Sequence, residues 1–228
     1  MNQTDISALQ RLSHTLDILR RQCPWDRVQT IQSLRYLTIE ETYELSEAIL
    51  RLADPPDGSS PAPLNAEFKK ELGDLFMHLL FYAKIADEEG RFTPADIFNA
   101  ITDKLISRHP FIFHPDAYEG ESWEQLKMHE GRRSVLDGVP ASLPPLVKAV
   151  RLQEKAAGIG VDPTLPADSP EPLNLGSDAA PDEESVGTLL FNLIHWAHDH
   201  GINADTALAR ANQRFQDKVR AFEKQQDH

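Results

Sequence analysis

The stretch Ile39-Glu40-Glu41-Thr42-Tyr43-Glu44-Leu45-Ser46-Glu47 carries four glutamates. On a helix, Glu41 and Glu44 are three residues apart and Glu40 and Glu44 four apart, so all three project towards one patch. From Tyr36 to Leu50 there is no Lys or Arg. A solvated acidic face ordinarily interleaves bases at i+4, and like charges at that spacing cost a helix about 0.2–0.5 kcal/mol each. Further on, Glu71 and Asp74 repeat the three-residue step, and Asp74 sits in Leu72-Gly73-Asp74-Leu75-Phe76, whose apolar members should be core. An unpaired buried carboxylate is costly, so a cation partner is an economical explanation. Four or five carboxylates from two antiparallel helices suit a hard divalent ion, Mg²⁺ or Mn²⁺. Such an ion leaves coordination positions for water and phosphate, which points to a phosphate ester or anhydride as substrate. The competing reading is a Glu-rich surface helix plus a buried Asp satisfied by a Lys or Trp elsewhere.

Rival chemistries find less support. A di-iron bundle needs Glu-x-x-His pairs, and none of the nine histidines has Glu three residues before it. There is no glycine-rich phosphate loop, and nothing beyond residue types suggests Ser/His/Asp or Cys/His catalysis. Lys104 and Arg108, four apart in Asp103-Lys-Leu-Ile-Ser-Arg-His109, could hold phosphates or serve as ordinary partners of a helix C-terminus. Trp123 and Lys127 are also four apart and could stack on a base and reach a phosphate; packing is the commoner fate of a Trp. His78, four after Asp74, reads as a packing residue or one behind the site.

These residues must be positioned by helices. Leu9, Leu12, Leu16 and Leu19 line one face of a first helix. The pattern predicts further helices over about 29–52, 65–89 ending at Gly90, and 94–108 opened by Thr93-Pro94-Ala95-Asp96 and stopped by His109-Pro110. Ser122–Gln125 has capping-box spacing for a short helix through Arg133. Residues 143–157 and about 183–224 complete the set, and no stretch alternates long enough to read as a strand. The fold class is all-α. Residues 54–65 hold four prolines and read as a loop, while 161–184 hold five prolines and seven acids without a base and read as an acidic linker.

The chain has 228 residues with 36 acids against 23 bases, a net charge of −13. That charge argues against nucleic acid as a partner. The single Cys23 leaves no internal disulfide and no cysteine-rich zinc site. The start MNQTDISALQRL lacks the pattern of an export signal, and the longest apolar stretch, Leu75–Ala86, is far too short to span a bilayer. The reading is a soluble cytoplasmic protein with no membrane partner. Seven of the excess acids lie in the linker and five are Glu40, Glu41, Glu44, Glu71 and Asp74, so the remainder is nearly balanced at 24 acids to 23 bases. A bound divalent ion would reverse the sign of the charge where a polyanionic substrate must dock.

The chain also matches itself. Glu71-Leu-Gly-Asp-Leu-Phe-Met-His-Leu-Leu-Phe-Tyr-Ala83 aligns with Ser185-Val-Gly-Thr-Leu-Leu-Phe-Asn-Leu-Ile-His-Trp-Ala197, keeping Gly73/Gly187 and Ala83/Ala197 in register. Ser185 and Thr188 stand where the first copy has Glu71 and Asp74. If acids do the chemistry, only the first copy can.

Taken together, Cys23-Pro24-Trp25-Asp26 followed by Gln29-Thr30, the Glu40-Glu41-x-x-Glu44 helix, Glu71-Leu72-Gly73-Asp74-Leu75 after 26 intervening residues, Glu89-Gly90-Arg91-Phe92, and Lys104-Leu105-x-x-Arg108-His109-Pro110 resemble the MazG family. These are nucleoside triphosphate pyrophosphohydrolases of the all-α NTP pyrophosphatase superfamily. The resemblance is strong over about 8–160 and weak over the C-terminal helices. It implies a helical bundle with two tandem MazG-like units: a catalytic domain over 1–160, the linker 161–184, and a degenerate second unit over 185–228. It further implies hydrolysis of NTP or dNTP to the monophosphate and pyrophosphate with Mg²⁺, or Mn²⁺, in a homodimer. Glu41, Glu44, Glu71 and Asp74 fall on the family's metal-ligand positions and Glu40 on a water-positioning acid. Lys104, Arg108, Trp123 and Lys127 would contact nucleotide. Water would attack the α-phosphorus while Lys104 and Arg108 hold the leaving pyrophosphate. The alternatives are a catalytically silent nucleotide- or protein-binding helical module, and a pyrophosphatase for another phosphorylated metabolite.

Overall fold

The computed structural model describes residues 2–53, 55, 60–118, 120, 134–166 and 182–226. Every regular element among the described residues is helical: α1 (Gln3–Gln22), a 3₁₀ turn (Asp26–Val28), α2 (Ile31–Ala53), α3 (Pro61–Glu88), α4 (Pro94–Arg108), α5 (Pro110–Phe113), a second 3₁₀ turn (Pro115–Ala117), α6 (Pro145–Ala157), α7 (Glu183–Asp199) and α8 (Ala204–Gln226). They form two units, Met1–Ile106 and Ser107–His228. The helix expected over 122–133 and the linker segment 167–181 lie outside the described residues.

In the first unit α2 and α3 run antiparallel, since Thr38 meets Tyr82 and Arg51 meets Glu67. The face α2 turns inward carries Leu34, Thr38, Glu41, Leu45 and Ala48, at steps of four and three. On α3 the buried positions Glu71, His78 and Ile85 recur every seven residues. Leu34, Phe81 and Ile85 make the core, with Ile31, Leu37 and Tyr82 packed against it. The seam between the two helices is therefore apolar at one end and acidic at the other.

Arg20 closes the apolar end. Its Nε donates to Glu88 Oε2 (2.9 Å), its Nη1 donates to the carbonyls of Asp26 (2.7 Å) and Gln29 (2.8 Å), and its guanidinium lies 5.7 Å from the centre of the Phe81 ring. One side chain thus ties α1, the turn after it and α3 together. A second tie is the Lys84–Asp17 ion pair between α3 and α1.

Helix α3 starts four residues before the expected 65, because Pro61 and Pro63 both fall in its first turn, where a missing N–H is no loss. Its end agrees with expectation. Gly90 adopts φ +65°, and Arg91 N–H donates to the Ala86 carbonyl (2.9 Å), the six-to-one bond of a glycine-terminated helix. Gly90→Ala should therefore cost about 1–2 kcal/mol, read as a lower urea midpoint at unchanged m-value. Helix α4 opens as the residues foretell: Asp96 N–H donates to Thr93 Oγ1 (3.3 Å), and Thr93 N–H donates back to Asp96 Oδ2 (2.8 Å).

In the second unit α6, α7 and α8 pack on one another. Ala149, Ile194 and Ala197 are buried there, and Gln153 Nε2 donates to the Phe191 carbonyl (2.7 Å). The expected C-terminal helical pair is present, broken after Asp199 where Ile202 N–H reaches the Ala197 carbonyl (2.8 Å).

Candidate metal centre

The acidic end of the α2–α3 pair gathers the carboxylates. Glu41 and Glu44 lie one turn apart on α2, Glu71 faces them from α3, and one oxygen of each lies within 4.8 Å of the other two. Glu71 is the most buried of them. The Oε2 atoms of Glu41 and Glu71 are buried and lack any hydrogen-bond partner among the described residues. Burying acceptors without a donor is unfavourable, and converging acids aggravate it. A divalent cation is the partner that would satisfy both at once, so these residues fit such an ion.

Asp74 stands beside the trio. It is half-exposed and lies near enough for its charge to act strongly on Glu41. The expectation that the segment around it is core does not hold: Leu72 and Phe76 are exposed and Glu71 is the buried acid. Nearly all of α3 is apolar around its circumference, so composition does not choose the face that docks on α2. Glu40 is exposed on α2, within electrostatic range of Glu44 but outside the trio.

Lys70 was not foreseen. Its Nζ donates to Glu71 Oε1 (2.9 Å) and lies 3.7 Å from Asp74 Oδ2. The signal was present in the sequence, since Lys70 and Asp74 are four apart. The bond to Glu71, and then the charges of Glu71, Asp74 and Glu44, hold the Lys70 ammonium above its ordinary pKa. One exposed ammonium does not neutralise four acids.

The crowding shows in the acids' proton affinities. Burial first, then the charges of Asp74, Glu44 and Glu71, push Glu41 above its ordinary 4.5, with Lys70 opposing. Glu44 is also raised: by loss of water, then by the charge of Glu71 and a hydrogen bond shared with it. Acids whose pKa values rise on folding leave the native state binding more protons than the unfolded chain in the window above about 4.5. Stability contributed there is lost as pH rises through the raised values. In chelator, wild type should gain thermal stability on acidification from about pH 7 towards about pH 5, and Glu41→Gln should gain less. Melting curves across that range test this; parallel curves for the two proteins would contradict it.

Behind the acids, His78 is buried and its Nδ1 is 3.0 Å from Thr38 Oγ1. Thr38 donates its own proton to the Leu34 carbonyl (3.0 Å), so its oxygen accepts from His78 Nδ1–H and from the Tyr82 hydroxyl (2.7 Å). Burial lowers the His78 pKa, against the opposing pull of Asp74. The network braces α3 against α2 one turn from the acids.

The basic candidates come later in the chain. Lys104 is exposed near the end of α4, and Arg108, the last residue of that helix, belongs to the second unit. Trp123 and Lys127 lie outside the described residues. In the second unit, Ser185 and Thr188 occupy the first turns of α7; Ser185 N–H and Oγ engage Asp182, which caps the helix.

A family model described as the MazG nucleotide pyrophosphohydrolase domain matches residues 29–113, which contain all five carboxylates. The chain is 36% identical to a nucleoside triphosphate pyrophosphohydrolase of Escherichia coli (strain K12), the match covering 98% of this chain and 88% of the relative. It is 32% identical to the nucleoside triphosphate pyrophosphohydrolase/pyrophosphatase MazG of Thermotoga maritima over 88% of this chain and 79% of that protein. A nucleoside triphosphate pyrophosphohydrolase of Mycobacterium tuberculosis is 32% identical over 78% of this chain and 54% of its own length. With its paired acidic helices and this similarity along almost its whole length, the chain belongs to the MazG family.

Proposed function

We propose that the protein hydrolyses nucleoside triphosphates, ribo- or deoxyribo-, to the monophosphate and pyrophosphate at the Glu41–Glu44–Glu71 centre. The observation that carries this reading is the convergence of Glu41, Glu44 and Glu71 from two helices, with a buried, unpartnered oxygen on each of Glu41 and Glu71. Glu41, Glu44 and Glu71, with Asp74 at their side, would hold Mg²⁺, with Mn²⁺ an acceptable substitute. When bound, such an ion neutralises phosphate charge and acidifies water. The chain's own contribution is to hold these acids converging on one point, with Lys70 offsetting part of their repulsion. Glu40, solvated beside Glu44, supplies a carboxylate that accepts the proton of the attacking water. Lys104 supplies the charge that holds the departing pyrophosphate. Lys104 and Arg108, four residues apart on α4, bind phosphate, and Trp123 and Lys127 contact the nucleotide.

The chemistry resides in the first MazG-like unit, since Ser185 and Thr188 provide no anionic ligands. A homodimer is the natural assembly. Gly73 sits in mid-helix with nothing within 4 Å of where a Cβ would be, flanked by exposed Leu72 and Phe76, and α4 exposes Ile97, Phe98, Ile101 and Leu105. A helical glycine with open space above it costs about 0.5–1 kcal/mol relative to alanine, which close approach of a second copy would justify. No helix among the described residues is long and apolar enough to cross a membrane.

The test is a product assay. Each NTP and dNTP is incubated with Mg²⁺ in ¹⁸O-water, and mono-, di- and pyrophosphate are resolved. Monophosphate carrying the label, with unlabelled pyrophosphate, is expected for attack at the α-phosphorus. Diphosphate plus phosphate, or nucleotide binding without turnover, would overturn the proposal.

A further inference from the structure

The C-terminal end of α7 holds a second set of ligand-type side chains, chemically unlike the first. His195, His198 and Asp199 each bring one ring nitrogen or carboxylate oxygen to within 4.8 Å of the other two. His195 Nε2 is 3.3 Å from Asp199 Oδ2, and His198 Nδ1 is 3.7 Å from Asp199 Oδ1. His195 and Asp199 share a helix face at i,i+4, but adjacent residues such as His198 and Asp199 ordinarily point apart. Their convergence is therefore a specific arrangement of the side chains.

The self-alignment adds an independent observation. Continued past Ala83/Ala197, it sets His195 and Asp199 against Phe81 and Ile85, the two α3 residues buried to 1% exposure in the first core. His198 falls opposite Lys84. Where one copy keeps an apolar pair for packing, the other presents an imidazole and a carboxylate.

We propose that His195, His198 and Asp199 bind a first-row divalent transition ion of the Zn²⁺ class, at a site separate from the carboxylate centre. Two imidazoles with one carboxylate suit Zn²⁺, and are poor ligands for Mg²⁺, which takes oxygen donors. Tetrahedral Zn²⁺ with bonds of about 2.0–2.1 Å spaces its ligand atoms roughly 3.3–3.4 Å apart. The two contacts go to different oxygens of Asp199, at 3.3 Å from His195 and 3.7 Å from His198, so side-chain rotation would have to bring one oxygen and both nitrogens, now within 4.8 Å of one another, to that spacing.

Asp162 is near enough to His195 to feel its charge, and its Oδ1 accepts the Thr164 hydroxyl (2.7 Å) and N–H (2.9 Å), which orients the carboxylate. The same segment is fastened to α7 at Leu165, whose N–H and carbonyl both engage the Asn192 side chain at 2.9 Å.

The experiment uses the full chain, stripped with chelator and then held in excess Mg²⁺ so that the carboxylate centre is occupied. Zn²⁺ is titrated by calorimetry, and Co²⁺ by visible absorption. Wild type should take up one Zn²⁺ per chain and give the intense Co²⁺ bands of a four-coordinate site. His198→Gln and Asp199→Asn should weaken binding at least about tenfold and abolish the bands, while Mg²⁺-supported turnover stays unchanged. His198 is exposed, so its substitution does not threaten the fold, which circular dichroism verifies. Undiminished Zn²⁺ uptake by His198→Gln, or uptake lost in Glu71→Gln instead, would overturn the proposal, as would no Zn²⁺ binding by wild type.

Discussion

Glu71→Gln is expected to lower nucleoside triphosphate pyrophosphohydrolysis by on the order of 100-fold or more while raising the melting temperature of the metal-free protein. The two effects share one cause. Glu71 is buried, brings one oxygen within 4.8 Å of Glu41 and Glu44, and has a buried Oε2 without a donor. Exchange for an amide keeps the shape and the acceptor for Lys70, removes one negative charge from a crowded centre, and supplies an N–H to a neighbouring carboxylate. The metal-free fold gains because repulsion and an unsatisfied acceptor disappear together. Catalysis loses because a neutral ligand holds a divalent ion far less well. Thermal denaturation in chelator, repeated with Mg²⁺, and kcat/KM on an NTP measure both sides. The stabilisation that Mg²⁺ confers on wild type should vanish in the variant. A variant with wild-type turnover would sink the assignment of the centre, and one that melts lower in chelator would refute the account of its strain.

The largest effect on stability alone should come from Phe81→Ala, at about 3–5 kcal/mol. Phe81 is 1% exposed between Leu34 and Ile85, and the Arg20 guanidinium lies on its ring. Truncation removes the apolar contacts, leaves a cavity between two long helices that have little freedom to collapse, and strips Arg20 of its aromatic partner. Phe81→Leu keeps most of the volume and should cost less than about 1.5 kcal/mol. Urea unfolding gives both values as shifts in midpoint at constant m-value. Equal losses for the two variants would show that the cavity is not the main source of the destabilisation. The residue is remote from the acids along α3, so turnover under conditions where the variant is folded should stay near wild type.

Much of this centre was legible in the amino-acid order. Glu41, Glu44, Glu71 and Asp74 could be grouped because a three-residue step puts side chains on one helix face whatever the fold around it. The helix ends at Thr93 and Gly90 were equally readable, since each is decided within a few residues by a hydroxyl cap or a left-handed turn. Pro61 and Pro63 misled the start of α3 because proline stops a helix interior yet suits a first turn, and composition does not say which applies.

Lys70, Thr38 and Tyr82 were missed for a different reason. Their contacts with the acids and with His78 depend on how α2 and α3 are rotated about their own axes. On α3 the apolar residues Leu72, Leu75, Phe76, Leu79, Leu80 and Phe81 surround the axis, so burying Glu71 and exposing Leu72 or burying the reverse are equally consistent with periodicity. The sequence by itself determined which residue types could bind a cation, and on which helices, because those facts are local. Only the tertiary structure decided that Glu71 rather than Asp74 lies inside, and that two carboxylate oxygens there are buried without a donor. Helix phase is set by the sum of contacts across the whole α2–α3 seam, and that sum has no local signature.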